Sequence, residues 1–416
     1  MLQAGFGIVD ITPEKRYPMA GFDLRKDANT GVHDPLSVRV ILLDDGTKRC
    51  VFCQLDLLGV PEHLVRSIQD NLQKELGADQ KSIQVSAIHT HAAPQSVFTS
   101  FACFDADYVA SVNEAAVQAG RSALKNLHPV AAGYAHTTAT GVGSYRDRVR
   151  EESAYAMPCD TVVFEPLDDA NKTILLSVYA CHPTVLNESN LLMSRDLVYG
   201  CDKRLAELVP NADVMFLNGA CADISSRYSR VASNYEEVER LGSLWAEAVA
   251  ASLPSAEPLE DLLMADQTSL FIPPAQFFTP AEREEILAYL ETKIEACQDS
   301  QQKREYISCR SVLQRKHYGQ GTGCDAELHV IGLGNLVFCS LPFEYASVDA
   351  EVLAKEIGVK FGKIAVICCY SNGYEGYLPS GRPLDRDSGY EDMASGFRSD
   401  AKQLVAEAFG RMLGDV

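Results

Sequence analysis

K-S-I-Q-V-S-A-I-H-T-H-A-A-P, residues 81 to 94, is an apolar run that empties into two histidines. The run K-S-I-Q-V-S-A-I reads as a β-strand, in which side chains alternate faces with a period of two. His89 and His91 are therefore expected to point the same way, where the strand gives way to a loop. Two imidazoles converging there can hold a divalent metal, or a metal and a substrate together. A lone histidine at a strand end is otherwise a structural, hydrogen-bonded residue. A second such place is His182, in V-Y-A-C-H-P-T-V.

Outward from this strand the pattern is that of a layered α/β domain. Residues 4 to 11 read as a strand closed by Thr12-Pro13. S-V-R-V-I-L-L and C-V-F-C-Q-L-D-L-L-G are two strands around an Asp45-Gly46 turn. Pro61 opens a helix with Leu64, Ile68, Leu72 and Leu76 at steps of four, and Gly77 ends it. These two strands, the helix and the strand ahead of His89 run β-β-α-β. A helix from about 107 to 126, strands within 131 to 164 around the charged S-Y-R-D-R-V-R-E-E, and the strand I-L-L-S-V-Y-A-C ahead of His182 follow. Next come a helix ending near Val209, the strand A-D-V-M-F-L-N-G-A and a helix at 234 to 252. P-S-A-E-P-L-E-D-L reads as a loop. Thr279, Pro280 and Glu282 form a capping box that starts a charged helical hairpin over 279 to 318, an insertion spanning about 276 to 320. L-H-V-I-G-L-G-N-L-V-F-C-S-L-P then resumes the sheet. Its G-L-G is no dinucleotide fingerprint, since a strand follows and the third glycine is missing. A helix at 345 to 357, the strand K-I-A-V-I-C-C-Y, a Tyr/Gly-rich loop and a last helix complete the chain. The expectation is one α/β domain over residues 1–416, a layered mixed β-sheet with flanking helices.

Bulk properties narrow the function classes. The chain has 37 basic and 57 acidic residues, a net charge of −20. Such an acidic surface disfavours nonspecific binding of nucleic acid and adsorption to anionic membranes. No apolar run is long enough to span a bilayer. The thirteen cysteines are odd in number and sit mostly in strand-like runs, which suits a reducing compartment. C-V-F-C at 50 to 53 lies inside a strand pattern with no second C-x-x-C, so it reads as buried free thiols. M-L-Q-A-G-F-G-I-V-D-I-T-P has neither a basic n-region nor a long apolar h-region. The expectation is a cytoplasmic protein without a signal peptide, acting on a small-molecule substrate without stable membrane association. Its oligomeric state is not legible.

Four strand ends carry polar residues after apolar runs: His89 with His91, His182, Asp223 with Ser225, and Glu344. Ligand sites of α/β domains form at such ends. Glu344 also reads as an ordinary first-turn helix residue, and Tyr374 and Tyr377 as loop packing. Taken together and in order, G-I-V-D-I-T-P, M-A-G-F, G-V-H-D-P-L, L-D-L-L-G, A-I-H-T-H-A-A-P, A-C-H-P-T-V, F-L-N-G-A-C-A-D-I-S, L-P-F-E and N-G-Y-E-G-Y resemble the neutral, non-lysosomal ceramidase family.

That resemblance implies a zinc amidohydrolase. Carried over, the metal ligands are His89, His182, Glu344 and Tyr377, two imidazoles, a carboxylate and a phenolate around Zn2+. His91 becomes a proton shuttle or substrate contact. Ser225 takes the place of the family's active-site serine, and the family's arginine falls on Arg146, with Arg148 as the alternate. Metal-activated water would attack the carbonyl, His91 would supply the amine's proton, and Ser225 and Arg146 would meet the oxyanion. No G-x-S-x-G elbow exists, which disfavours a serine-hydrolase fold. The chain also departs from the family: A-D-I-S-S-R replaces GDxSPN, H-T-H-A-A-P replaces HTHSGP, and P-F-E replaces PGE. A short member is expected, lacking the C-terminal immunoglobulin-like domain. The ligands persist while the substrate side differs, which points to an N-acyl bond in a small soluble substrate. The alternatives are a zinc hydrolase of an ester or sugar-linked acyl group, and a metal-stabilised, non-catalytic binding protein.

Overall fold

The computed structural model describes residues 1–22, 25–97, 105–146, 155–168, 171–316 and 318–414. The strand ahead of His89 is Ile83–Ala87, and it forms one edge of a nine-stranded sheet. Across that sheet lie Ala212–Asn218, Thr173–Tyr179, Ala156–Pro166, His128–Thr140, Gln3–Asp10, Ser37–Asp44, Arg49–Leu55 and Ile83–Ala87, in that order. The short strand Glu257–Pro258 pairs with His128–Thr140. The sheet is mixed. Ala212–Asn218 runs parallel to Thr173–Tyr179, and Arg49–Leu55 parallel to Ile83–Ala87, while the remaining pairs are antiparallel. Parallel neighbours need a crossover, and each pair has its helix: Leu197–Leu208 and Glu62–Leu76. Glu62–Leu76 buries the expected stripe of Leu64, Ile68, Leu72 and Leu76. Cys50 and Cys53 are buried and free, as the strand pattern implies.

The run around G-L-G does not rejoin this sheet. Leu263–Ile272, Cys324–Leu333, Leu336–Ser340 and Ile364–Cys368 form a separate sheet of four strands. It packs on the first through apolar contacts that include Phe52 against Phe338, ring centroids 5.2 Å apart. A buried apolar run announces a strand but not its neighbour, which is why the sequence joined the two sheets. Leu263–Ile272 escaped altogether, because its middle, Asp266 to Ser269, is polar and half exposed. The helical hairpin is present as Pro280–Ala296 and Ser300–Leu313, with the Thr279 and Glu282 capping box formed. It connects two antiparallel neighbours of the smaller sheet and has a small core of its own around Leu290 and Leu313.

The two edges of the larger sheet approach each other. The Tyr179 hydroxyl and the Asn218 side-chain amide both donate to the Ile88 carbonyl, at 3.0 and 3.2 Å. Residues 369 to 372 lie between the edges and tie them together. Cys369 N donates to Asn218 O at 2.9 Å, Ala87 N to Tyr370 O at 3.0 Å, and Asn372 N to Val85 O at 2.7 Å. The backbone groups that an edge strand leaves open are satisfied there by this strap. His89, His182 and the Tyr-rich loop all leave from this junction.

Candidate metal centre

His89 and His91 converge, but not by strand alternation. The strand ends at Ala87, and His89 has φ of 66°, in the left-handed region. A non-glycine residue there costs roughly 1–2 kcal/mol, and such strain collects at functional sites. The turned backbone sets His91 Nε2 3.4 Å from His89 Nε2. His89 Nδ1 lies 2.7 Å from the Leu58 carbonyl oxygen. A carbonyl only accepts, so Nδ1 carries the proton and Nε2 presents a lone pair. His182 follows the strand Thr173–Tyr179 and repeats the arrangement. Its Nδ1 lies 2.8 Å from Cys221 O and 3.0 Å from Ile224 O, so Nδ1 is the donor there and Nε2 faces Glu344. Ring nitrogens of His89, His91 and His182 all lie within 4.8 Å of one another.

Glu344 completes the cluster from beyond the strand Leu336–Ser340. Its Oε2 lies 3.0 Å from His182 Nε2 and 3.7 Å from His89 Nε2, and its Oε1 accepts from the Tyr374 hydroxyl at 2.5 Å. His89 and His182 are 1% exposed and Glu344 is 2%, so water does not screen them. Burial pushes the His89 imidazole down to about 3, despite Glu344, so the ring is neutral. Burial alone would raise the Glu344 carboxyl, but the two imidazoles and the Tyr374 hydroxyl outweigh it and hold it at about 2. The Glu344 carboxylate thus faces both Nε2 atoms, at 3.0 and 3.7 Å, away from water. Such a buried set of nitrogen and oxygen donors could hold a cation.

The other expected residues gather on one side. Glu344 N donates to Gly376 O at 2.9 Å and Leu378 N to Glu344 O at 3.0 Å, which pins Tyr377 beside the carboxylate. Arg146 donates to the Tyr377 hydroxyl at 3.2 Å and to the Ala222 carbonyl, and pairs with Glu391 at 2.9 Å. Burial raises the Tyr377 phenol, and Arg146 works against it by favouring the phenolate. Ser225 bridges to His182 through the backbone, and its hydroxyl accepts from Arg227 N at 3.3 Å. Among the described residues no imidazole hydrogen-bonds that hydroxyl. Arg148 lies outside the described residues. Asp223, singled out at the same strand end, is occupied otherwise. It accepts from Ser347 N at 2.7 Å and Ser347 Oγ at 3.0 Å, capping a helix, Ser347–Phe361, whose own N-cap is Ala346.

Two glycines of the quoted motifs have a steric reason. A Cβ on Gly21, at φ of 92°, would sit 2.3 Å from the His91 ring. A Cβ on Gly59 would meet the Tyr374 ring at 2.7 Å. His91, His182, Arg146, Ser225 and Tyr377 share a cavity of about 150 Å³ that is also lined by Arg227, Arg230 and, from the helical hairpin, Arg304 and Glu305. These last four were not singled out in the sequence. They come from a turn and a helix face with no periodic signal to mark them.

Comparison with known proteins agrees with the motifs. A family model described as neutral/alkaline non-lysosomal ceramidase, N-terminal, matches residues 2–212, just over half of the chain. The fold is similar to the crystal structure of neutral ceramidase from Pseudomonas aeruginosa, with a TM-score of 0.79 at 16% identity over 98% of this chain and 73% of that one. It is similar also to a structure described as ceramidase complexed with C2, with a TM-score of 0.77 at 14% identity over 98% of this chain and 74% of that one.

Proposed function

Because the chain belongs to that family, the neutral/alkaline non-lysosomal ceramidases, we propose that it is a zinc-dependent hydrolase of the amide bond of a small, soluble N-acyl compound. The observation that carries the reading is the buried convergence of imidazole nitrogens on the Glu344 carboxylate. His89, His182, Glu344 and Tyr377 would hold the ion, and their nitrogen and oxygen donors suit zinc. When bound, zinc lowers the pKa of a water towards about 7 and polarises a carbonyl. The remaining tasks fall to the chain. His91 has a buried Nδ1 with no hydrogen-bond partner among the described residues, and burial favours its neutral ring, so it would take the proton released by the attacking water and pass it to the departing amine. Arg146 stays charged: burial opposes its charge, but Tyr377 and Glu391 outweigh it. Arg146 and Ser225 hydrogen-bond the carbonyl oxygen as negative charge builds on it. Ser225 acts as a contact and not as a nucleophile, since no base is placed on its hydroxyl among the described residues.

The cavity supports a small polar substrate over a long lipid. It is lined largely by charged and polar side chains. No helix among the described residues is long and apolar enough to cross a membrane. Metal analysis of the purified full chain and of His89→Ala, with a screen of N-acyl amino acids, N-acyl sugars and short N-acyl sphingosines, tests the reading. Stoichiometric zinc in the wild type, its loss in the variant, and turnover that a chelator abolishes and zinc restores are expected. A wild type without zinc, and a variant that binds zinc equally well, would refute it.

A further inference from the structure

We propose, resting on the amide-hydrolase reading, that the substrate carries an anionic group, a carboxylate or a phosphate, and that Arg230, Arg227 and Arg304 bind it. These three guanidiniums line the same cavity as His91 and His182. Arg304 has a carboxylate partner, Glu188 at 2.7 Å, and Arg227 a loose one, Glu305 at 3.4 Å. Arg230 has none among the described residues. It donates to the carbonyls of Thr184 and Val185, the latter at 3.0 Å, so its head group is fixed to the segment that follows His182. Burial disfavours its charge most; Asp196 supports it, Arg227 and Arg304 oppose it, and Glu188 adds a smaller support. With Arg146, four guanidiniums line one cavity against the carboxylates Glu305 and Glu391, and Arg230, held by two carbonyls without a carboxylate partner among the described residues, makes a site for an anion.

Arg230 and the histidines line one cavity of about 150 Å³, so an anion at Arg230 and a scissile amide at the histidines belong to one molecule. The charge does not say whether the anion belongs to the acyl or the amine half, nor whether it is a carboxylate or a phosphate. The chemistry common to these is a compact oxyanion that accepts hydrogen bonds from planar guanidinium groups.

The test uses the full zinc-loaded chain and compounds of matched size. N-acetyl-β-alanine carries a carboxylate on the amine half, N-methylsuccinamate carries one on the acyl half, N-acetyl-phosphoethanolamine carries a phosphate, and N-acetylethanolamine is neutral. At least one anionic compound is expected to exceed the neutral one in kcat/KM by about tenfold or more, the scale of a hydrogen bond to a charged group. In Arg230→Gln that ratio should collapse, chiefly through KM. Calorimetric binding of succinate and of inorganic phosphate gives an arm that needs no turnover, and binding should weaken about tenfold in Arg230→Gln. Should Arg230→Gln fail to fold, as read by circular dichroism, Arg227→Gln carries the same comparison. Equal turnover of neutral and anionic compounds with no anion binding overturns the proposal and leaves the amide-hydrolase reading standing. Anion binding that depends on Arg230, without turnover of any N-acyl compound, keeps the anion site and defeats the hydrolase. A selectivity ratio unchanged in the folded variants overturns the proposal outright.

Discussion

Replacing Tyr374 by phenylalanine removes one oxygen atom and leaves the ring in place against Gly59. That oxygen donates to Glu344 Oε1 at 2.5 Å. A hydrogen bond to a charged group is worth about 1.5–3 kcal/mol. Glu344 is 2% exposed, so no bulk water replaces the lost donor. Groups that orient a metal-binding residue typically contribute 10–100-fold to metal affinity, or about 1.4–2.7 kcal/mol. The two ranges overlap near 2 kcal/mol, so Tyr374→Phe should weaken zinc about thirtyfold. Competition with a chromogenic chelator at neutral pH measures this directly. Tyr370→Phe is the control. The Tyr370 hydroxyl lies 3.5 Å from Glu344 Oε2 and is closer, at 3.1 Å, to Cys221 Sγ. A contact that long is barely a hydrogen bond, and affinity should stay within about threefold. The reasoning is refuted if Tyr374→Phe matches the wild type, or if Tyr370→Phe is the more damaging of the two.

Other expectations follow from the same geometry. His89→Ala should lose the metal, whereas His91→Ala should keep it and lose turnover; metal content and rate measured on the same samples separate the two roles. Gly21→Ala forces a Cβ to 2.3 Å from the His91 ring at φ of 92°, and a loss of about 2 kcal/mol or more should appear in denaturant unfolding together with reduced turnover. Asp202 sits 2.7 Å from Arg39 and 2.6 Å from Arg195. Burial opposes its charge, but the two arginines prevail and lower it from 3.8 to about 2. A depressed carboxyl contributes stability that is present above its unfolded pKa and is lost as pH falls through the folded one. Asp202→Asn should therefore cost about 2 kcal/mol at pH 7, and the difference from wild type should shrink between pH 4 and 2.

Local rules made part of this molecule legible. Leu64 to Leu76 repeat at a helical period, and Thr279 with Glu282 is a capping box whose two hydrogen bonds are short-range. His89, His182 and Glu344 were legible as polar residues placed after apolar strands. The way they meet was not. His89 turns through a left-handed conformation that nothing in I-H-T-H announces, and the strand alternation that seemed to aim both histidines ends before them. Tyr374 and Tyr377 stand three apart in one loop, yet one hydroxyl goes to Glu344 and the other to Arg146. Pattern alone gives both the same standing. The arginines at 227, 230 and 304 read as surface charge until distant segments fold them around one cavity. What escaped was long-range pairing, which spacing does not encode.

The strap between the sheet edges sets an order of events for a chain made from its N-terminus. Val85 N donates to the Asn372 side chain across a separation of 287 residues. Contacts so remote are formed late, because a long loop must close before they give anything back. Until Asn372 has left the ribosome, Ile83–Ala87 and Ala212–Asn218 are unpaired on their outer sides, and open strand edges invite pairing between chains. A nascent chain stalled ahead of residue 369 would hold both histidine-bearing segments but neither their fixed positions nor protection from aggregation. Chaperone dependence during synthesis is the expected consequence of a hydrogen bond that spans most of the sequence, and a comparison of soluble yield with and without chaperones in cell-free synthesis checks it.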